Sequence, residues 1–300
     1  MKKSFIRTVV LTSMLCVLAV FTSCGNKNTG NADATAPTSE QFEPDARFAS
    51  IDSLVAFLTE NPSDETLDGF VKRFDTQAAA IKSYWYLNHK GEDESRLVET
   101  VCGDLKALTN SLSGGSTFDM MQSNLINGAV SHYLTAKDYC GQNGENPLYQ
   151  DEMRDWLILE KELSGFYTDL ASLANWGGSI VNITSSGALA HVAKTRQEDY
   201  SQLKKGGKYD DSESMTISEA RANFIQELED AKSLEDEMGA GDEFNKTLES
   251  MRLHADKVVE LLDKWLESRA KLCEAEGVPE SHTAHFIAKL GQRIMELIEG

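Results

Sequence analysis

Past its first two dozen residues the chain has no apolar run long enough to cross a bilayer, which takes about 20 residues. Basic residues are in deficit: 29 Lys and Arg stand against 48 Asp and Glu, a formal charge of −19 at pH 7. A surface of that sign repels phosphate backbones, so nucleic acid is excluded as a partner. The short patterns that mark common chemistries are missing as well. There is no GxSxG, Walker or GxGxxG sequence, no HExxH, and no CxxC or Cys/His spacing suited to zinc. No internal repeat of roughly 34 or 40 residues is present, so a solenoid is not expected.

What is present begins at the amino terminus. Lys2, Lys3 and Arg7 precede an apolar run from Val9 to Phe21. At about 13 residues this is the length of a signal-peptide core and too short to span. It ends in Phe21-Thr22-Ser23-Cys24-Gly25. Small residues there fit a narrow peptidase groove, and the thiol that follows can take a diacylglyceryl group. The stretch resembles the lipobox of bacterial lipoproteins, with Phe21 where leucine is usual. The resemblance implies that residues 1–23 are an export signal, that Cys24 is lipidated, and that the protein is anchored to the cell envelope, in a Gram-negative cell at the outer membrane. Gly25 to Asp45 is small and polar and reads as a tether. Removal of residues 1–23 takes away three basic residues and no acidic one, so the formal charge moves from −19 to −22.

With Cys24 committed to lipid and Cys16 removed with the signal, Cys102, Cys140 and Cys273 remain. They allow at most one intramolecular disulfide, which an exported compartment permits.

Apolar residues then recur at helical spacing almost throughout. Helices are expected over 46–60, 64–88, 94–112, 116–139, 147–173, 188–204, 216–238, 242–275 and 281–298. Ser116-x-x-Asp119 and Thr216-x-x-Glu219 read as capping boxes, and Asn146-Pro147 as a cap followed by proline at the first helical position. Only 175–184 has strand-like composition, and it is too short to imply a sheet. The fold expected is all-α, an antiparallel bundle or bundles of eight or nine helices. Residues 205–214, rich in Gly, Lys and Asp, suggest a division into 46–206 and 207–300.

No catalytic residue, metal ligand or cofactor site stands out. His282 and His285 share a helix face but read as surface histidines. His89, His132, His191 and His254 are scattered. Carboxylate pairs such as Asp155 with Glu160, or Glu235-Asp236-Glu237, are what so acidic a chain contains by number alone, and they read as solvated faces. Trp176-Gly177-Gly178-Ser179, with Ile180 and Ile183, reads as an apolar loop over the bundle, with a binding loop as the alternative.

In the last third, Glu243-Phe244-Asn245-x-x-Leu248-x-x-Met251, Trp265-x-x-x-Arg269-x-x-x-Cys273 and Gln292-Arg293-x-x-x-Leu297 occur in order. The set resembles the lysozyme-inhibitor LprI-like domain over about residues 215–300. Positions 265, 269 and 273 fall on one helix face. Trp265 is expected to pack inward and Arg269 to pair with a carboxylate. The resemblance implies a small exported helical domain, some of whose relatives inhibit lysozyme. Opposite charge would speed encounter with so cationic an enzyme. The sequence as a whole reads as a lipid-anchored envelope protein with a non-enzymatic binding or structural role. Inhibition of a cationic lysozyme-like enzyme, or an envelope hydrolase near 176–184, are the alternatives.

Overall fold

Local capping chemistry starts most of the helices. In the computed structural model, which describes residues 42–60, 66–142, 144–176, 178, 180–203, 205–206, 215–235 and 241–299, the elements are all helical. They are α1 (Ile51–Leu58), α2 (Leu67–Asn88), α3 (Leu97–Leu112), α4 (Thr117–Gln142), α5 (Pro147–Ala174), α6 (Val181–Leu203), α7 (Ile217–Lys232), α8 (Asp242–Glu276) and α9 (Glu280–Glu299), with one-turn 3-10 helices at Ala46–Phe48 and Glu94–Arg96. The export signal, Cys24 and nearly all of the tether lie outside the described residues, as do the break at 61–63 and most of the 205–214 stretch.

Ser50, Thr66 and Asn146 each accept a backbone N–H of the first turn, and Pro147 opens α5 where its missing N–H costs nothing. Both arms of the Thr216/Glu219 capping box are formed. Ser116 and Asp119 exchange the equivalent bonds at 2.8 and 3.3 Å. α8 ends at Gly277, whose φ of +67° is a left-handed cap, and the Val278 N–H closes back on the Cys273 carbonyl. Helix α7 stops at Lys232 rather than near 238, because Arg252 of α8 donates to the Lys232 and Leu234 carbonyls and caps its end.

One expectation is corrected. The 175–184 stretch, strand-like in composition, is helical from Val181 onward, since α6 begins there rather than near Ala188. Its β-branched residues are held in the first turns of α6, where Asn124 of α4 donates to the Ile183 carbonyl and to Ser186 Oγ. Tertiary contact overrides a weak local preference there.

Pairs across the helices fix their directions. Asp155 meets Lys264, Glu162 meets His254 and Trp176 meets Phe244, so α5 and α8 run antiparallel along most of their length. Asn124 meets Ser186, and a Cβ on Gly128 would lie 3.5 Å from the Ala190 Cα, so α4 and α6 run parallel and close. Phe70 meets Tyr139 and Phe74 stacks on Tyr133, so α2 runs antiparallel to α4.

The buried side chains form two clusters. One lies under α1 to α4 around Leu54, Ile81, Val101, Leu105 and Tyr133. The larger gathers α5 to α9 around Trp156, Leu163, Val192, Phe224, Trp265 and Ile287, with Phe70 and Tyr139 at its edge. Helices on both sides of residue 207 thus share a core, and the change from one cluster to the other comes nearer the α4–α5 turn.

Candidate functional site

The densest group of ionisable side chains lies inside the larger core. Glu152 of α5, Arg196 and Asp199 of α6, Arg269 of α8 and His282 of α9 are 0–2 % exposed. Each stands on the apolar stripe of its own helix. Glu152 is in line with Tyr149, Trp156 and Leu163. Arg196 and Asp199 lie between Val192 and Leu203, and His282 is one turn from Phe286. Burying those stripes drags the charges in, and they meet because four helices converge.

The charges close into a ring. Arg196 donates through Nη2 to Glu152 Oε2 at 2.6 Å and through Nη1 to Glu152 Oε1 and Asp199 Oδ2 at 3.0 and 2.9 Å. Arg269 donates through Nη1 to Glu152 Oε1 at 3.2 Å and through Nη2 to Asp199 Oδ1 at 2.5 Å. Each guanidinium therefore touches both carboxylates, and each carboxylate both guanidiniums. Trp265 Nε1 adds a bond to Glu152 at 2.8 Å, and His282 Nε2 lies 2.9 Å from Asp199 Oδ1.

Aromatic rings wall the cluster. Trp156, Trp265 and Phe286 pack mutually with centroids 5.2–5.8 Å apart. Arg196 lies 4.9 Å over Trp156 and 5.4 Å over Tyr200, and Arg269 lies 5.6 Å over Trp265. These ring faces support guanidiniums whose Nε–H groups are buried without a hydrogen-bond partner. Burial pushes Asp199 up, but Arg269, His282 and Arg196 outweigh it and hold the carboxyl below the usual range. Burial pushes Arg196 down, and Glu152 and Asp199 outweigh it, so its guanidinium is held more firmly charged. The ring is a set of matched charges engaged with one another. Chemically it fixes register between helices.

Above it, α5 and α8 leave a groove of about 320 Å³ lined by Asp151, Arg154, Asp155, Lys264, Glu267 and Lys271 over Leu148 and Ser268. Arg154 pairs with Asp151 at 2.6 Å and Lys264 with Asp155 at 2.9 Å. The groove can offer charges of both signs to a ligand. It lies roughly 30 Å along α5 from the 175–180 loop. At that loop Trp176 is half-buried, edge-on to Phe244 at 5.1 Å, while Ile180 is exposed.

The sequence-derived candidates fall as follows. Trp265 and Arg269 face inward as their spacing indicates, with Cys273 below them. The surface reading of His282 is overturned, because α9 docks its 282–286–290 stripe into the core. His285 is only half-buried. Asp155 and Glu160 are not a solvated pair: Asp155 serves Lys264, and Glu160, 9 % exposed, lies 3.5 Å from His132. Cys102 of α3, Cys140 near the end of α4 and Cys273 of α8 all carry thiols. Among the described residues no group of His, Cys, Asp and Glu is arranged to hold a metal ion.

Glu152, Arg196 and Asp199 were not singled out by their sequence. The signal that could have found them is a charge set on an apolar helical stripe, which among 48 acidic residues is easily passed over.

No protein-family model matches the chain, and neither a curated protein nor a solved structure is similar to it at a significant level.

Proposed function

We propose that this protein is a lipid-anchored component of the cell envelope with a non-enzymatic binding or structural role, held through Cys24. The observation that carries the reading is the closed ring of Glu152, Arg196, Asp199 and Arg269. The ionisable groups most removed from water are engaged with one another, which suits a rigid support whose exposed faces make the contacts. Two measurements test it. Labelled fatty acid fed to producing cells is expected in the wild-type chain and absent from Cys24→Ser, and equal absence from both overturns the anchor. Photo-cross-linkers at Glu267 and Lys271 in intact cells are expected to give a discrete adduct, and uniform background at both positions overturns a binding role for the groove.

A second reading, inhibition of a cationic lysozyme-like enzyme, is favoured by the carboxylates that α8 exposes, among them Glu249, Asp256, Glu260, Asp263 and Glu274. Because Trp265, Arg269 and Cys273 are buried, contact would fall to that exposed row. Lysozyme rates unchanged by micromolar excess of the protein would remove this reading.

A further inference from the structure

Acidic residues outnumber basic ones 48 to 29 over the chain, yet in the groove between α5 and α8 the two signs balance. Asp151, Asp155 and Glu267 share about 320 Å³ with Arg154, Lys264 and Lys271. Four of these charges are committed, Arg154 to Asp151 at 2.6 Å and Lys264 to Asp155 at 2.9 Å. The other two are not. Among the described residues neither the Glu267 carboxylate nor the Lys271 ammonium has an ion-pair or hydrogen-bond partner, and both residues are exposed.

The two helices fix where these groups stand. The Asp155–Lys264 pair sets the antiparallel register, so Lys271, two turns on along α8, lies opposite Leu148, two turns back along α5. Glu267 and Lys271 are one turn apart, about 6 Å along the helix axis. Between them Ser268 is buried and donates its hydroxyl proton to the Trp265 carbonyl at 3.0 Å, which leaves its oxygen as an acceptor. Among the described residues that line the groove, Leu148 is the one apolar side chain, and none is aromatic.

A balanced set of charges selects against a ligand of one sign. A net anion is repelled by the acidic body before it arrives, and a net cation is drawn equally by the unmatched carboxylates elsewhere on α8, such as Glu249 and Glu260. With no aromatic face the groove offers a planar ligand nothing to stack on. What complements one unpaired cation and one unpaired carboxylate is a dipolar molecule, neutral overall. Two residues of extended chain span about 7 Å, close to the one turn that separates Glu267 from Lys271.

We propose that the groove binds a zwitterionic dipeptide, its terminal ammonium on Glu267, its terminal carboxylate on Lys271 and an apolar carboxyl-terminal side chain on Leu148; the inference rests on the binding role proposed for this groove. Each end is a charge-assisted hydrogen bond at an exposed position, so each is weak alone and the two together set the direction of the ligand. The peptide N–H between them falls beside Ser268 Oγ. The Asp155–Lys264 pair stands at the other end of the groove and limits the length of chain that fits.

The test uses the full chain in a neutral detergent and follows its amide resonances on addition of glycyl-leucine. Saturable shifts are expected in 148–155 and 264–271. Acetylating the ligand's amino terminus, or amidating its carboxylate, should each weaken binding by about threefold or more. The loss should track the matching residue. Lys271→Gln should bind glycyl-leucine and its amide alike while still discriminating against the acetylated form, and Glu267→Gln should do the reverse. Equal shifts from free and blocked dipeptides, or shifts spread over the acidic surface without saturation, overturn the proposal. A discrete cross-linked adduct at Glu267 or Lys271 in cells, with no response to glycyl-leucine, overturns the dipeptide alone and leaves the groove a binding site for another partner. No adduct and no response removes both readings.

Discussion

The cluster under α1 to α4 and the cluster under α5 to α9 are both made of packed helices, but they are specified differently. Among the described residues the first buries no charged side chain: Leu54, Ile81, Val101, Leu105 and Tyr133 are at its centre, its buried polar groups such as Ser83, Thr109 and Ser123 are neutral, and His89 and Asp104 meet at the rim. The second encloses two guanidiniums, two carboxylates and an imidazole. An apolar core is held by shape and area, so neighbouring registers of similar volume compete with the native one. A buried charge ring penalises every register but one, because a slip of any helix leaves a charge unpaired. Such a ring is expected to contribute little net stability and much discrimination.

The largest effect is expected where the ring is opened. Arg269→Met leaves Glu152 and Asp199 sharing one guanidinium inside a dry core and should cost about 3–5 kcal/mol. Replacing Arg196, Arg269, Glu152 and Asp199 together by Met, Met, Leu and Leu should recover most of that loss, because all four desolvation costs vanish at once. Urea titration of the single and fourfold variants measures both. A fourfold variant as unstable as the single one would show that the pairing itself, rather than the penalty for breaking it, holds α5 to α9 together. Exchange broadening of the fourfold variant's spectra would mark the lost discrimination.

In the apolar cluster the corresponding cut is Leu105→Ala, at about 2–4 kcal/mol with the cost set by how far the cavity collapses. Here no charge is stranded, so restoring volume should restore stability. Leu105→Met is expected within about 1 kcal/mol of wild type. If it falls as far as Leu105→Ala, this core too depends on exact shape and the contrast with the ring weakens.

The sequence told these regions apart only in part. Helical spacing, the Thr216/Glu219 and Ser116/Asp119 caps, Asn146-Pro147 and Gly277 mark most helix starts and ends, because those signals act within a few residues. The 265–269–273 spacing likewise makes an inward face readable. The partners of Arg269 were not readable: Glu152 and Asp199 lie 117 and 70 residues away and are brought in by packing. His282 was misread for the same reason, since its burial depends on which face of α9 meets α6.

Acid and alkali should separate the regions next. Asp199 is held below the usual carboxylate range, so its contribution is complete above about pH 4 and is lost as pH falls through its folded value. Burial pushes His89 down, but its hydrogen bonds to Glu92 and Asp104 outweigh this and leave it raised. Its contribution is complete below about pH 6.5 and is lost as pH rises through its folded value. The destabilisation caused by Asp199→Asn should therefore shrink below pH 4. That caused by His89→Gln, about 0.5–1 kcal/mol, should shrink on going to alkaline pH. Melting curves of both variants across pH decide this, and parallel pH profiles would abolish the distinction between ring and rim.

The smallest effect concerns a half-buried carboxylate that lacks what the ring has. Glu227 of α7 lies over Gly291 of α9, with Oε2 buried and without a hydrogen-bond partner. Burial, aided by Asp230, raises its pKa. A raised carboxyl binds its proton more readily in the folded state, so folding is favoured as pH falls and opposed as the group ionises. Glu227→Gln keeps the shape and removes the charge. It should stabilise at neutral pH by about 1 kcal/mol or less, and the gain should fade as pH drops to the point where wild-type Glu227 is itself protonated. Gly291→Ala directs a Cβ at that carboxylate, so it should cost less in a Glu227→Ala background than in the wild type. Additive losses in the double variant would mean that the two helices meet through other contacts, and that an unpaired carboxylate here is tolerated by solvent rather than borne by the fold.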